Sequence, residues 1–407
     1  MSEFVSIESD PQLFSDYQSL ADDPVTDVLL DADEKDVRDR TRAVAAEAIA
    51  PHAAGTDATH EFPHAGVKAL SSAGLGGILF PEHLGGTGQS NVAYAAAMEE
   101  ISAACPSTSL IFMTQMHAAY PIYQTGTDAQ QRRFIPGLIS ADAYGSIATT
   151  EPDAGSDVAG MSTTAKAVDG GWLLNGQKTF ITTGDRADVI ACFATVDRSA
   201  GREGITAFIV DGNAEGVTRG KPFHKLGMHG SSTAELYFDN AFIPTDNLIG
   251  DEGKGWSIVM NSVGKTRISA AAQGVGIARG GYLRTLAALT HLHGPKLPDA
   301  ALFTLGEMRG RILQGRLLLF STARSADADP SITAGQIGVM KQSCTDLGYR
   351  TAVECMRLLG VHGDNRRYGL ERLARDAKVT QIYDGTNEIQ RLLIGRETSR
   401  ALKGLNA

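Results

Sequence analysis

Two short segments of this chain concentrate side chains that could do chemistry. The first is TTEPDAGSD, residues 149–157, which combines hydroxyl and carboxylate side chains with a proline and a glycine. Hydroxyls and free backbone N–H groups in such a loop can hydrogen-bond the polar edge of a planar ring or a diphosphate. Taken alone, the segment fits an ordinary turn equally well.

The second segment is RDAKVTQIYDGTNEIQR, residues 375–391, which holds an acid, Asp384, directly before a Gly-Thr pair. A carboxylate in a dry site can serve as a general base, because desolvation raises its pKa towards the working pH. Thr386 could cap the helix that follows, with Glu388 in its first turn. An acid at such a boundary is otherwise a surface or capping residue.

Regions of different periodicity must position these two segments. An acidic leader, residues 1–25, precedes a region of helical spacing at 26–143. The acidic residues of the first forty positions predict a solvated leader and first helix. A strand-rich region follows at 144–252, and helical spacing returns at 253–407.

The middle region offers short apolar runs separated by turn residues, which predicts a small β-barrel or sandwich. Asn175-Gly176, between WLL and KTFI, predicts a hairpin turn, since type I′ turns require positive φ at both central residues. The last region contains long stretches with apolar stripes. Such helices usually form a bundle, and part of their surface is often a subunit interface.

Composition excludes several classes of protein. The net charge of -10 over 407 residues argues against a nucleic-acid partner, because no continuous basic surface is available. The four cysteines are widely spaced, which favours a reducing compartment. The chain has no run of about 18 apolar residues and no basic stretch before an apolar one, so export and membrane spanning are not expected. The prediction is a cytoplasmic protein.

Two patterns that resemble cofactor sites are set aside. GVGIARGG, residues 274–281, lies in a stretch of helical spacing without a preceding strand, so close helix packing is favoured over a dinucleotide loop. His291 and His293 form an isolated HxH pair with no carboxylate or cysteine cluster nearby, so no metal site is predicted.

Taken together, the motifs resemble the acyl-CoA dehydrogenase family over about residues 30–400. ATTEPDAGSD, FITTG at 180–184, KTR at 265–267 and QIYDGTNEIQR at 381–391 match family segments in the family's order. The resemblance implies an α+β multidomain fold with an N-terminal helical domain, a small middle β-domain and a C-terminal four-helix bundle. It implies FAD as cofactor, shared between neighbouring subunits of a homotetramer or dimer.

The resemblance also implies roles for individual residues. Asp384 would be the base, and Thr150 would hydrogen-bond the isoalloxazine. The implied FAD-binding residues are Ile147, Ala148, Thr149, Thr150, Gly155, Ser156, Phe180, Ile181, Thr182, Thr386 and Glu388. The implied substrate-binding residues are Ser156, Gly264, Arg267, Tyr383 and Gly385.

The sequence departs from the family pattern at several of these positions. Most members have glutamate where Asp384 stands, and Gly264 occupies a second position that sometimes supplies the base. The usual RxxFG is here THLHG, residues 290–294, so the arginine near the FAD diphosphate is missing. Arg357 and Gly360 belong to RLLGVHG, where a glutamine normally precedes Gly-Gly. We hypothesise that Arg357 replaces the missing charge.

The implied reaction is α,β-dehydrogenation of an acyl thioester, carried by CoA or by an acyl-carrier protein. It needs a carboxylate over Cα, flavin N5 near Cβ on the other face, and hydrogen bonds to the carbonyl where enolate charge develops. Electrons would leave to an electron-transfer flavoprotein or to oxygen. The aspartate keeps a nitroalkane-oxidase-like flavin oxidase open as an alternative, and a flavin-binding subunit without turnover is a third.

Overall fold

The computed structural model describes residues 6–20, 22–329 and 332–405. A helical domain precedes the first strand, in agreement with the predicted helix–strand–helix order. Its helices are α1 (Pro11–Leu20), α2 (Pro24–Asp27), α3 (Ala32–Val44), α4 (Ala50–Thr59), α5 (His64–Ser72), α6 (Asn91–Ala104), α7 (Pro106–Thr125) and α8 (Asp128–Ile139).

Capping and composition explain why these helices form where they do. α3 begins with a capping box in which Asp31 and Glu34 each accept a backbone N–H of the other, and Thr127 and Gln130 do the same for α8. α6 is alanine-rich and buried on all sides, and α7 is buried along most of its length. A helix that is apolar all round belongs in the core, so α6 and α7 form the centre of this domain.

The middle domain is a single sheet of eight strands. Their order is β6-β7-β3-β2-β4-β5-β8, and β1 pairs with β4 in parallel. The prediction was a small barrel or sandwich, and the structure has one continuous sheet. The sheet has its own apolar core around Leu174, Phe208 and Leu236. The strands are β1 (Gly145–Ala148), β2 (Thr164–Val168), β3 (Gly171–Thr182), β4 (Val189–Thr195), β5 (Ile205–Asp211), β6 (Val217–Arg219), β7 (Thr233–Pro244) and β8 (Leu248–Ile249).

The predicted hairpin at Asn175-Gly176 is wrong. The pair lies inside β3, at a register shift against β7, and Gly176 has φ 146°. A Cβ added at Gly176 would lie 2.7 Å from the Thr163 Cα, so glycine permits a bulge with close backbone approach. The hairpin between β2 and β3 turns instead at Asp169-Gly170, where Gly170 has φ 75°. Both dipeptides suit a turn, and strand pairing decides which one is used.

The C-terminal domain is a helical bundle centred on α11. α11 packs against α9, α10, α12 and α13, and a capping box of Thr333 and Gln336 begins it. The GVGIARGG stretch lies inside α9, and a Cβ at Gly274 or Gly276 would collide with the backbone of α11 or α6. This confirms that its small residues serve close helix packing. The helices are α9 (Gly255–His293), α10 (Asp299–Ala328), α11 (Ala334–Leu359), α12 (Leu370–Thr380) and α13 (Asn387–Leu405).

The predicted solvated leader is only partly correct: among its described residues, which exclude 1–5 and 21, residues 9–12, 16, 19 and 20 are exposed, but four others are buried. Ile7, Phe14 and Gln18 are buried. Glu8 is also buried, and it accepts a hydrogen bond of 2.9 Å from Arg284 Nε on α9. Charge patterning predicts that Glu8 is solvated. Glu8 is buried instead because a buried charge needs an opposite charge, which Arg284 supplies.

Two further expectations can be compared with the described part of the chain. None of its helices is both long and apolar enough to cross a bilayer. Within residues 6–20, 22–329 and 332–405, no cluster of histidine, cysteine and acidic side chains is suited to a metal ion. The four cysteines are buried and unpaired with one another.

Candidate active site

The loop that carries Asp384 connects the end of α12 to the start of α13. Asp384 has φ 55° and Gly385 has φ 85°, so the backbone turns through two left-handed residues in succession. The Asn387 N–H donates to the Gln381 carbonyl at 2.9 Å and closes the loop. Thr386 Oγ1 accepts from the Ile389 N–H at 3.3 Å, so Thr386 caps α13 as predicted.

The Asp384 carboxyl group is enclosed and incompletely hydrogen-bonded. Its Oδ2 is buried and has no hydrogen-bond partner. Burial raises the pKa of the Asp384 carboxyl to about 7, against the opposing effects of the Lys341 charge, hydrogen bonding by Thr266, and the Arg267 charge. A carboxyl group of this kind is ionised in part near neutral pH, and its free oxygen can accept a proton.

Two basic side chains lie next to this loop. Arg267 on α9 is buried, and its Nη2 would lie 3.6 Å from a Cβ added at Gly385. Burial lowers the pKa of Arg267, and the Asp384 charge opposes that shift. Lys341 on α11 donates from Nζ to the Gly385 carbonyl at 3.0 Å and to Asn387 Oδ1 at 3.0 Å. Two cationic side chains therefore act on the Asp384 carboxyl group.

Tyr383 and Gly264 occupy the sides of this site. The Tyr383 hydroxyl donates to Gln273 Oε1 on α9, and Gln273 Nε2 donates to Ser109 Oγ at 2.6 Å. Gly264 lies on α9 less than one turn before Arg267, and a Cβ added there would meet only Ile337 Cδ1, at 3.7 Å. Space for a side chain exists at Gly264, but no acid stands there to compete with Asp384.

A second group of the predicted residues lies on the middle domain. Ile147 and Ala148 are the last residues of β1, and the TTEPDAGSD loop follows them. The Thr179 N–H of β3 donates to the Thr150 carbonyl at 2.9 Å, which fixes the loop against the sheet. Thr149 and Thr150 are partly exposed, whereas Gly155 and Ser156 are exposed.

A buried ion pair holds this loop in place. Lys178 Nζ of β3 donates to Glu151 Oε1 at 2.7 Å and to the Thr149 carbonyl at 3.1 Å, and both side chains are buried. Glu151 also accepts from the Ser162 N–H at 2.5 Å and from the Thr163 N–H at 3.0 Å. Although burial opposes the shift, the Lys178 charge and these hydrogen bonds lower the pKa of Glu151 to about 2.

The end of β3 presents an aromatic face beside this loop. The Phe180 side chain is 66% exposed on a backbone with φ 56°, and its ring lies 5.3 Å from that of Phe223. Ile181 is buried, while the Thr182 carbonyl accepts from Ser146 Oγ at 2.7 Å. An exposed aromatic ring on a strained backbone, next to a loop with free hydroxyls, fits one flat face of an isoalloxazine ring.

Two of the predicted cofactor residues, Arg357 and Gly360, lie apart from both groups, whereas Glu388 directly follows the Asp384 loop. Arg357 is exposed near the end of α11, and Gly360 is exposed just after it. Sixteen residues of helix separate Arg357 from Lys341, which corresponds to about 24 Å at a rise of 1.5 Å per residue. Glu388 lies on the exposed side of α13 and pairs with Arg391 at 3.2 Å. The structure therefore gathers the Asp384 loop with α9 and α11 but leaves Arg357 at the far end of α11.

Sequence reasoning missed the residues that support the Asp384 loop. Lys341 and Asp346 on α11 and Gln390 on α13 all bond to it. A signal for Lys341 exists in the sequence, since it shares the helical spacing of Ile337, Met340 and Cys344, which are buried. A lysine on an apolar face of a helix must have a partner, although the spacing does not say which.

Comparison with known proteins identifies the family. The acyl-CoA dehydrogenase N-terminal, middle and C-terminal domain models match residues 31–142, 146–241 and 253–398. An acyl-CoA dehydrogenase of Bacillus subtilis is 39% identical over 366 residues, which cover 88% of this chain and 96% of that protein.

Solved structures have the same fold. A glutaryl-CoA dehydrogenase from Mycobacterium smegmatis, in complex with FADH2, superposes with a TM-score of 0.85 at 28% identity, covering 91% of this chain and 96% of that one. The prolyl acyl carrier protein oxidase AnaB superposes with a TM-score of 0.85 at 25% identity, covering 91% of this chain and 99% of that one. With three domain models matching in order, the chain belongs to the acyl-CoA dehydrogenase family, FAD-containing oxidoreductases that act on CH–CH bonds.

Proposed function

We propose that this protein dehydrogenates an acyl thioester between its α- and β-carbons, with Asp384 as the base that removes the α-proton. The observation that carries the proposal is the enclosed Asp384 Oδ2, which has no hydrogen-bond partner and belongs to a carboxyl whose pKa is raised to about 7. A base with a pKa near the working pH combines a useful ionised fraction with useful basicity.

The surrounding groups support this role. Arg267 and Lys341 place positive charge beside the loop, which keeps part of the carboxyl population ionised despite burial. Tyr383, held by Gln273, restricts one side of the site. The family has two positions that can supply the base, which are 264 and 384 in this chain. Gly264 has no carboxylate, so Asp384 is the acid at these two positions.

FAD is the cofactor that the middle domain would hold. The Phe180 ring and the loop of residues 149–156 would contact the isoalloxazine. Thr386 and Glu388 would contact FAD from the C-terminal domain. When bound, FAD accepts the hydride that leaves the β-carbon. The protein's own part is to orient the thioester, exclude water around Asp384 and receive the α-proton on Oδ2.

The aspartate narrows the substrate. It is one methylene shorter than the glutamate usual in the family, so either the α-carbon sits nearer to the loop or the backbone lies closer to the substrate. We propose an acyl group other than a routine straight chain. The similarity to a carrier-protein oxidase supports a carrier-bound thioester as one option, and the similarity to CoA-dependent relatives supports CoA as the other. We further propose a homotetramer or dimer, with an electron-transfer flavoprotein or oxygen as acceptor.

One experiment separates these options. The purified yellow protein is mixed anaerobically with acyl-CoAs, acyl-carrier-protein thioesters and nitroethane, and flavin absorbance is followed. Bleaching by a thioester, lost by at least about a hundredfold in Asp384→Asn, supports the proposal. Bleaching by nitroethane alone would favour the nitroalkane-oxidase-like alternative. Full activity in Asp384→Asn would overturn the role of Asp384.

A further inference from the structure

Lys341 is a fully buried charge outside the family motifs of the sequence. It lies on the face of α11 that packs against α9 and α13, and its relative exposure is 0%. An isolated buried ammonium is strongly unfavourable, so such a lysine is kept only where it has well-placed partners. Its partners therefore indicate what it does.

Those partners belong to the loop that carries Asp384. The ammonium donates to the Gly385 carbonyl, one residue after Asp384, and to the Asn387 side chain, at 3.0 Å each. Gln390 Nε2 donates to the same Gly385 carbonyl at 2.9 Å. The carbonyl is thus held from two sides, by α11 and by α13.

A second residue of α11 holds the other parts of the loop. Asp346 Oδ1 accepts from Gln381 Nε2 and from Asn387 Nδ2, both at 2.7 Å, while its Oδ2 accepts from Arg391 at 2.9 Å. Lys341 and Asp346 are five residues apart, so both reach the loop from one region of α11. The first and last residues of the loop are fixed to the same rigid helix.

The loop requires such support because of its backbone. A non-glycine residue with positive φ, such as Asp384 at 55°, is strained and persists only where its surroundings determine it. The carbonyl held by Lys341 belongs to the next residue, which is also left-handed. Without that bond, the turn can relax and the carboxylate can move.

Lys341 also acts on Asp384 through its charge. The groups that face Asp384 are Arg267 and Thr266 from α9, Lys341 from α11, and Tyr94 from α6, with Tyr383 on its own loop. Among them, Lys341 is the leading influence that lowers the pKa of the carboxyl against burial. Burial lowers the pKa of Lys341 itself to about 8, an effect that the Asp384 charge opposes.

We propose that Lys341 is a positioning residue for Asp384: it holds the Asp384 turn through the Gly385 carbonyl and places a positive charge beside the carboxyl group. The proposal rests on the proposed role of Asp384 as the base. Lys341 itself need not touch the substrate.

The direct test is to titrate the carboxyl of Asp384 by infrared difference spectroscopy. Subtracting the spectra of Asp384→Asn isolates the carboxyl band, and its pH midpoint is then measured in the wild type and in Lys341→Met. Losing the leading opposite charge that acts on the carboxyl should raise the midpoint by about one to three pH units. Lys341→Arg should restore the wild-type midpoint.

A matched control is Lys225→Met, which removes a partly buried lysine that donates to a loop carbonyl, that of Ser231 at 2.7 Å. Its charge is not among those facing Asp384, so the midpoint should stay unchanged. If Lys341→Met does not fold, Lys341→Gln serves in its place, since it removes the charge while keeping a hydrogen-bond donor.

Kinetics supply the second readout. Flavin bleaching by the best thioester at pH 7 should fall at least about tenfold in Lys341→Met and recover only in part at higher pH, because the shift in ionisation is reversible by pH but the misplacement is not. An unchanged midpoint in Lys341→Met would overturn the proposal even if Asp384→Asn is inactive. Activity retained in Asp384→Asn would instead refute the base assignment, while the infrared midpoint would still report on Lys341.

Discussion

At the residue scale, Asp384 combines a short side chain, a left-handed backbone and an enclosed carboxyl oxygen. Each has a separate physical origin. The loop bonds fix the backbone, burial raises the pKa, and Arg267 and Lys341 limit how far it rises. A glutamate at this position could reach farther, so the aspartate requires either a closer substrate or a closer backbone.

The raised pKa predicts a pH dependence for the free enzyme. A base must be deprotonated to act, and the folded-state pKa lies above the ordinary value, so kcat/KM should be low below pH 7 and rise through about pH 7. Stopped-flow bleaching across pH 5 to about 9 measures this. A profile that is already flat from pH 5 upwards would contradict an enclosed Asp384 carboxyl in the free enzyme.

Arg357 carries a second prediction at this scale. It is exposed in this chain, and we hypothesise that it binds the FAD diphosphate in place of the arginine missing from THLHG. Losing one charge-assisted hydrogen bond costs about 1.5–3 kcal/mol, so Arg357→Ala should weaken FAD binding by about ten- to a hundredfold. The flavin-to-protein ratio after gel filtration measures it.

The control for Arg357 is Arg132→Ala, which removes an exposed arginine from α8. Its flavin content should match that of the wild type. Unchanged flavin content in Arg357→Ala would show that Arg357 does not replace the arginine missing from THLHG.

At the element scale, the TTEPDAGSD loop owes its shape to the Lys178–Glu151 pair. The pair joins β3 to the loop and to residues 162 and 163, so several backbone groups depend on one carboxylate. Because its folded pKa is depressed to about 2, the stabilisation from Glu151 is present above its ordinary pKa and is lost as pH falls towards 2.

Glu151→Gln should lower the free energy of unfolding by about 3–5 kcal/mol, because it leaves the Lys178 ammonium buried without its counter-charge. Denaturant unfolding measures this at pH 7. The double variant Glu151→Met with Lys178→Met should recover part of the loss, since an apolar pair leaves no buried charge. Asp153→Asn, in the exposed part of the same loop, is the control and should change stability by less than about 0.5 kcal/mol.

Long elements were predictable from the sequence, and individual contacts were not. The stretches that became α9, α10 and α11 show helical spacing over many turns, which leaves little choice of structure. The prediction of a hairpin turn at Asn175-Gly176 failed because a local turn preference does not identify the partner strand. Pairing of β3 with β7 made this dipeptide part of a bulge. Asp384 was found through its motif, whereas Lys341 was missed because its hydrogen bond to Gly385, 44 positions away, has no local signature.

At the whole-molecule scale, buried ion pairs join segments that are distant in sequence. Arg279 on α9 pairs with Glu99 and Glu100 on α6, and Arg42 on α3 pairs with Glu100 at 2.9 Å. Glu8 bonds Arg284 on α9 and Arg372 on α12. Burial alone would raise the pKa of Glu8, but these two guanidiniums outweigh it and hold the pKa below its ordinary value.

Glu8→Gln should therefore destabilise the protein by about 3–5 kcal/mol at pH 7, because two arginines lose their common counter-charge. The depressed pKa means that the difference from the wild type is present above the ordinary pKa and shrinks as pH falls below it. Thermal unfolding at pH 7 and at about pH 4 measures both effects. Glu47→Gln removes an exposed carboxylate and should leave stability nearly unchanged.

The Glu8 contacts also impose an order of events during synthesis. Glu8 and Arg372 are 364 positions apart, so at about 5–20 residues per second the ribosome needs on the order of 20–70 s to make the second after the first. Throughout that interval Glu8 lacks Arg372, and for most of it Glu8 lacks Arg284 as well, although the segment around Glu8 can already pack against α3 and α4. A carboxylate made early thus gains its counter-charges late, and slowing translation of the C-terminal helices should lengthen the time for which Glu8 lacks them.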